Sequence, residues 1–106
     1  MEFVFAYITA GSRDEARCIG RALVEERLAA CGQAVRELRS IYRWEGAVHD
    51  EPEARVALHT RRSLVPAIVA RAAELHPYDV PCVLALPVLA GNPAYLEWLA
   101  AETRDT

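Results

Sequence analysis

Apolar and polar positions alternate through residues 36–61, in two runs that meet at Glu45-Gly46-Ala47. Period-two alternation on both sides of a glycine-bearing turn predicts one long antiparallel hairpin. On its first strand the even positions are mostly apolar and the odd ones mostly polar. A bare two-residue loop at Glu45-Gly46 would set Arg36 against Arg55 and Leu38 against Glu53, both unfavourable directly across a pair. A slip of one residue, with Trp44 opposite Val48, removes both mismatches. It pairs Arg39 with Glu53, Glu37 with Arg55, Leu38 with Ala54 and Ala34 with Leu58, and a one-residue slip exchanges every face, so this register is the expected one. It also sets Gln33 opposite His59, with Cys31 their diagonal neighbour.

Around the hairpin the pattern changes period. Glu2 to Thr9 is apolar on both sides (Phe3, Phe5 and Tyr7 against Val4, Ala6 and Ile8), as expected of a central strand. Ser12-Arg13-Asp14-Glu15 has the form of a capping box, opening a helix to about Ala29 with Ala16, Ile19 and Leu23 on one stripe. After the hairpin, Thr60 to Ser63 leads into a second helix with Pro66 in its first turn and Val65, Ile68, Ala72 and Leu75 on its buried stripe. Pro77 stops it at His76. Cys82 to Leu89 reads as a strand apolar on both faces, placed at an edge by Pro87. Asn92-Pro93 starts a last helix carrying Tyr95, Leu96 and Leu99.

The order β-α-β-β-α-β plus a terminal helix is that of the ferredoxin-like split fold, class α+β, with an expected strand order of 4-1-3-2. The 106 residues form one domain, residues 1–106, large enough to bury roughly two-thirds of the unfolded surface. Two helices cover one face of such a sheet, yet the first and last strands are apolar on both. Another copy of the chain is therefore expected on the second face. Cys31 and Cys82 begin opposite edge strands and should lie far apart within one subunit.

Composition narrows the partners. A net charge of −3, with basic residues dispersed along the chain, leaves no footprint for nucleic acid or an anionic membrane. No apolar run approaches membrane-spanning length and the start lacks a basic leader, so the expected location is the cytoplasm. Three cysteines at unrelated spacings indicate neither a disulfide framework nor a zinc ribbon. Cys18, beside Ile19 on a helix, reads as a small packing residue. His76 is either a ligand or a polar residue favoured by the helix C-terminus. Cys31 and His59, on one hairpin face, are a soft metal site, a thiolate–imidazole pair, or a half-buried thiol beside a surface histidine. Tyr42 and Trp44 read as packing or interface aromatics, and His49, Glu51 and Glu53 as solvated groups. No phosphate loop, carboxylate pair or nucleophile motif points to an enzyme.

Leu28-Ala-Ala-Cys31, Ser40-Ile-Tyr-Arg-Trp-Glu-Gly46, His76-Pro-Tyr78 with Val80-Pro81, Leu86-Pro-Val88 and Tyr95-Leu-Glu-Trp-Leu99 together resemble the CutA divalent-cation tolerance family over nearly the whole chain. The resemblance implies a ferredoxin-like homotrimer with interlocking hairpins, a link to copper and other divalent metals, and no defined reaction. Cys31 and His76 match the family's cysteine and histidine; Trp44, Glu45 and Tyr78 match its recurrent cleft residues, to which Tyr42 is added. The chain departs from the family pattern at four places. Gly32-Gln33 follows Cys31 where the family usually has Val-Asn, and Arg36-Glu37 replaces Pro-Gly, so a bend there is expected to be lost. His59 stands for a lysine and Cys82 for a glutamate, which exchanges two charged groups for softer ligands. The expected function is that of a trimeric, non-catalytic protein that binds or responds to copper or similar ions through Cys31, His59, His76 and Cys82, with no obligatory cofactor. A trimer resembling the PII regulators, holding a small anion through Arg43, Arg61 and Arg62, is the alternative.

Overall fold

In the computed structural model, which describes residues 1–105, β1 (Phe3–Ala10) leads into α1 (Arg13–Glu25), followed by the hairpin strands β2 (Cys31–Trp44) and β3 (Ala47–Arg61). After a short 3-10 turn come α2 (Val65–Leu75), β4 (Val83–Pro87) and α3 (Pro93–Glu102). The four strands form one antiparallel sheet in the order β2-β3-β1-β4, which is the expected order with β1 inside and β4 at an edge. The hairpin accounts for the elongated shape, 44 Å along its longest axis, since fourteen strand residues at about 3.3 Å each span nearly that length.

Alternation divides the sheet into two faces. Even-numbered residues of β1 and β3 (Ala6, Ile8, Val56 and Leu58 among them) are fully buried against Ile19 and Leu23 of α1 and Ile68 and Ala72 of α2. The capping box forms as read: Ser12 Oγ accepts from the Glu15 N–H at 3.2 Å, while Glu15 reaches back to the Gly11 N–H at 2.9 Å. α1 ends at Glu25, four residues short of the expected Ala29, because Arg27 turns into the left-handed region at φ 61°. Cys18 is exposed, which corrects the packing role expected of it. It sits between the buried positions Ala16, Ile19 and Gly20, on the outer side of the stripe.

The hairpin register differs from the expected one. Glu45 (φ 49°) and Gly46 (φ 80°) both take left-handed backbone and close a bare two-residue turn, with Trp44 opposite Ala47 and Leu38 opposite Glu53. Paired left-handed residues match the right-handed twist of the strands, and that local preference prevails over one apolar-on-charge pair. The Arg36–Arg55 clash never arises. A bulge sets Arg36 and Glu37 against Ala54 alone, so that Val35 faces Arg55 and the pairing below runs one residue earlier, bringing Cys31 directly opposite His59. The expected ion pairs Arg39–Glu53 and Glu37–Arg55 are absent from this register; Arg39 pairs with Asp50 at 2.5 Å and Glu37 with Arg36 at 3.4 Å. Because the bulge adds one residue, it reverses the parity of β2, and Leu38, Ser40, Tyr42 and Trp44 share a face with Cys31, Gln33 and Val35. The bend persists without Pro-Gly because Glu37 adopts φ 68°. A side chain there costs about 1 kcal/mol over glycine, and its exposed ion pair with Arg36 offsets little of that. Glu37→Gly is expected to raise stability by about 0.5–1 kcal/mol, read as a higher urea midpoint with an unchanged slope; a lower midpoint would contradict the assigned backbone.

On the second face lie Phe5, Tyr7, His59, Arg61, Leu84 and Leu86, and α3 packs across one end of it. Arg61 makes that attachment: its guanidinium donates to Thr103 Oγ1 at 2.7 Å, to the Thr103 carbonyl at 3.0 Å and to the Ala100 carbonyl. The rest of the face stays open, with Leu84 and Leu86 each 53% exposed. No helix among the described residues is long and apolar enough to cross a membrane.

Candidate functional site

The four expected metal ligands fall into three places. Cys31 and His59 are direct cross-strand partners at the base of the hairpin. Both point to the face on which α3 lies, where the His59 Nδ1 is 2.6 Å from the Tyr95 hydroxyl. Burial first, then the neighbouring Cys31 sulfur, hold the Tyr95 phenol above its ordinary range. A thiol, an imidazole and a phenol thus converge from three elements. Tyr95 was read only as a helix residue; nothing in a linear pattern says on which face of the sheet a terminal helix will dock.

His76 is elsewhere and fully occupied. As the cap residue of α2 its side chain accepts the Tyr78 N–H at Nδ1 (3.1 Å), and its Nε2 lies 2.6 Å from the Thr9 carbonyl oxygen. The first contact leaves the proton on Nε2, which donates to Thr9 and ties the end of α2 to the end of β1. With only 6% of its surface exposed, His76 cannot coordinate an ion without giving up one of these bonds. Cys82 precedes β4, at the sheet edge opposite Cys31, as expected. Among the described residues no three His, Cys, Asp or Glu side chains gather closely enough to hold a metal ion, so one chain offers a metal no more than two such ligands at any one place.

Cys82 instead lines a cleft of about 700 Å³ that the outer half of the hairpin forms with the loop after α2. Tyr42, Trp44 and Tyr78 line it too, as do Glu51 and Glu53, which had been read as merely solvated. Glu45 stays in the turn outside it. The two-residue turn makes this grouping, because its register sets Tyr42 opposite His49 and Ser40 opposite Glu51, on the side to which Glu51 and Glu53 point. Tyr42 donates to Glu51 Oε1 at 3.2 Å and Tyr78 to Glu53 Oε2 at 3.0 Å. His49 stacks on Tyr42 with ring centres 5.1 Å apart.

The anion-binding alternative fares less well. Arg61 is spent on α3 and Arg62 pairs with Glu2 at 2.7 Å, leaving Arg43 alone of the three expected contacts on the exposed hairpin arm.

Comparison with known proteins bears on the whole arrangement. The profile described as CutA1 divalent ion tolerance protein matches residues 4–102. The chain belongs to this family. The divalent-cation tolerance protein CutA of Thermus thermophilus is 47% identical over 96 residues, covering 91% of this chain and 93% of its own. Mouse protein CutA is 43% identical over 94% of this chain, which spans only 56% of the mouse protein's length. The crystal structure of CutA1 from Oryza sativa superposes with a TM-score of 0.96 at 36% identity, over 100% of this chain and 97% of that one. A mixed α+β domain with a four-stranded antiparallel sheet and three helices is therefore the family's architecture as well as this chain's.

Within this member of the CutA1 family, the Tyr78–Glu53 contact carries a measurable signature. Burial first, then the hydrogen bond to Glu53, push the Tyr78 phenol up to about 12. The fold thus holds the protonated phenol more firmly than the unfolded chain does. The stability that results is complete below about pH 10, the unfolded value, and is lost as the pH climbs towards 12. Tyr78 is 38% exposed, so solvent screening reduces the effect to about 1 kcal/mol. Urea midpoints at pH 9 and pH 12 should converge by that amount in Tyr78→Phe relative to wild type; an identical drop in both proteins would deny the contact.

Proposed function

We propose that the protein acts as a homotrimeric, non-catalytic ion-tolerance protein that takes copper as its cargo through Cys31 and His59. The observation that carries this reading is the direct cross-strand pairing of those two residues. Thiolate and imidazole are soft and borderline donors, suited to copper or zinc and poor for magnesium or calcium. With Nδ1 of His59 directed to the Tyr95 hydroxyl, Nε2 is left as the donor atom, the arrangement by which a second partner fixes a ligating histidine. Two protein donors make a weak site. A trimer would strengthen it by adding a donor from a neighbouring copy, and Cys82, half-buried and unpaired, suits that role better than His76. Titration of the reduced protein with Cu(I), followed by calorimetry, is expected to show affinity falling at least tenfold in Cys31→Ser and in His59→Ala. It should weaken as the pH drops and both groups take up protons. Equal affinities in all three proteins would refute the assignment.

The trimer reading, within a ferredoxin-like fold, draws on the open face of the sheet. Leu84, Leu86 and Trp98 are too apolar a group to leave in water. Sedimentation equilibrium should return three times the chain mass at micromolar concentration, and a monomer there would overturn it. The cytoplasm is the location we favour, on the three unpaired cysteines.

A further inference from the structure

The last helix is fastened to the sheet at two places, and one of them is the proposed ligand pair. Ten residues make a helix that is marginal in water by itself, and of those in α3 only Leu99 is buried. Its last turn is well anchored: Arg61 reaches the Ala100 carbonyl and Thr103, and Arg27 donates to the Ala101 carbonyl at 2.7 Å. Its first half has a single side-chain hydrogen bond to the sheet among the described residues, the 2.6 Å contact between the Tyr95 hydroxyl and His59 Nδ1. Asn92 accepts the Ala94 N–H at 2.9 Å, which caps the helix but attaches it to nothing else.

The histidine end of this contact is well packed. The His59 ring lies 5.8 Å from Phe5 on β1 and meets the Tyr95 ring edge-on at the same distance. Cys31 stands directly across the ladder from His59, and its sulfur neighbours the same Tyr95 hydroxyl. One hydroxyl thus serves both proposed ligands.

An ion on Nε2 of His59 sets the direction of this contact. Nδ1 then has only its N–H to offer and donates it to the Tyr95 oxygen, while the phenolic O–H is left to donate to the Cys31 sulfur. A positive ion on the ring makes that N–H a stronger donor, and a thiolate accepts more strongly than a thiol, so both bonds to Tyr95 gain charge assistance. Without an ion the contact is one hydrogen bond between neutral groups.

We propose, on the copper reading above, that α3 is the part of the chain that responds to the ion. Occupancy of the Cys31–His59 pair tightens Tyr95 onto the sheet and fixes the first half of α3, while Arg61 and Arg27 hold its other end with or without an ion. Such coupling is reciprocal: the factor by which the ion favours docking of α3 is the factor by which docking favours the ion.

Amide hydrogen exchange on the reduced, intact protein, with and without saturating Cu(I), tests this beside a calorimetric titration. Cu(I) should slow exchange at residues 96–99 at least about fivefold. In Tyr95→Phe, which keeps the ring and removes the hydroxyl alone, those amides should exchange faster from the start and gain less than about twofold from Cu(I), although the titration still shows binding, weakened by a similar factor. Cys31→Ser should lose both the binding and the slowing. Tight binding by wild type with exchange at residues 96–99 unchanged would overturn the inference and leave the copper reading standing. Equal slowing in wild type and Tyr95→Phe would also overturn it, since the hydroxyl would then not be the link. Titrations with no heat that depends on Cys31 or His59 would remove both.

Discussion

Arg61→Ala is expected to lower the unfolding free energy by about 3 kcal/mol and to free α3 from the sheet. Arg61 is only 8% exposed, and three of its guanidinium hydrogen bonds go to Ala100 and Thr103 at the end of α3. The carbonyls of a helix's last turn lack partners within the helix, and a cation there also opposes the negative end of the helix dipole. Removing it strands buried acceptors and deletes charge-assisted bonds worth about 1.5–3 kcal/mol each, which do not add fully. Arg61→Lys should recover less than half, since an ammonium cannot reproduce the planar fork. Urea denaturation gives the magnitude, and amide exchange gives the location. A loss below about 1 kcal/mol, or unchanged protection of residues 94–102, would show that α3 is held by its apolar contacts alone.

Gly20→Val is expected to cost about 2–3 kcal/mol. Gly20 faces β3 from the middle of α1, and a Cβ placed there would come within 2.7 Å of Val56 Cγ2. That methyl belongs to a fully buried, β-branched side chain with one favoured rotamer. Relief therefore requires the helix to rise from the sheet, at the usual cost of overpacking. Gly20→Ala should cost less, because the gain of about 1 kcal/mol in helix propensity partly offsets the clash. Combining Gly20→Val with Val56→Ala should be less harmful than the sum of the two, a positive coupling read from a thermodynamic cycle. Strict additivity would mean that the two residues do not limit how closely α1 approaches the sheet.

The strands, helices and their order were legible along the chain because each depends on neighbours in sequence. A capping box needs four residues, Asn92-Pro93 needs two, and the doubled apolar pattern of β1 needs only that strand to place it inside the sheet. The expected extent of α1 failed for a related reason, since the left-handed turn at Arg27 lies where the chain must reverse to start β2.

The hairpin register shows where such reading stops. Weighing cross-strand pairs against one another favoured a uniform slip, but a chain can change register part-way. A bulge at Arg36-Glu37 satisfies both the tight turn at Glu45-Gly46 and the buried pairing of Ala34 with Val56. No local signal marks it, because a glutamate at φ 68° follows from the demands at both ends of the strand and not from its own preference. The same is true of both candidate sites. The residue types were all visible: Cys31, His59 and Tyr95 on one side, Tyr42, Trp44, Glu51, Glu53 and Tyr78 on the other. Cys31 meets His59 and Tyr95 through the parity the bulge imposes on the base of β2 and the docking of α3 through Arg61, whereas the second group follows from the register of the tight turn and the return of Tyr78 to Glu53. Local pattern determined the elements and their order; long-range packing, which alone balances strain at one point against burial at another, decided the register and therefore the sites.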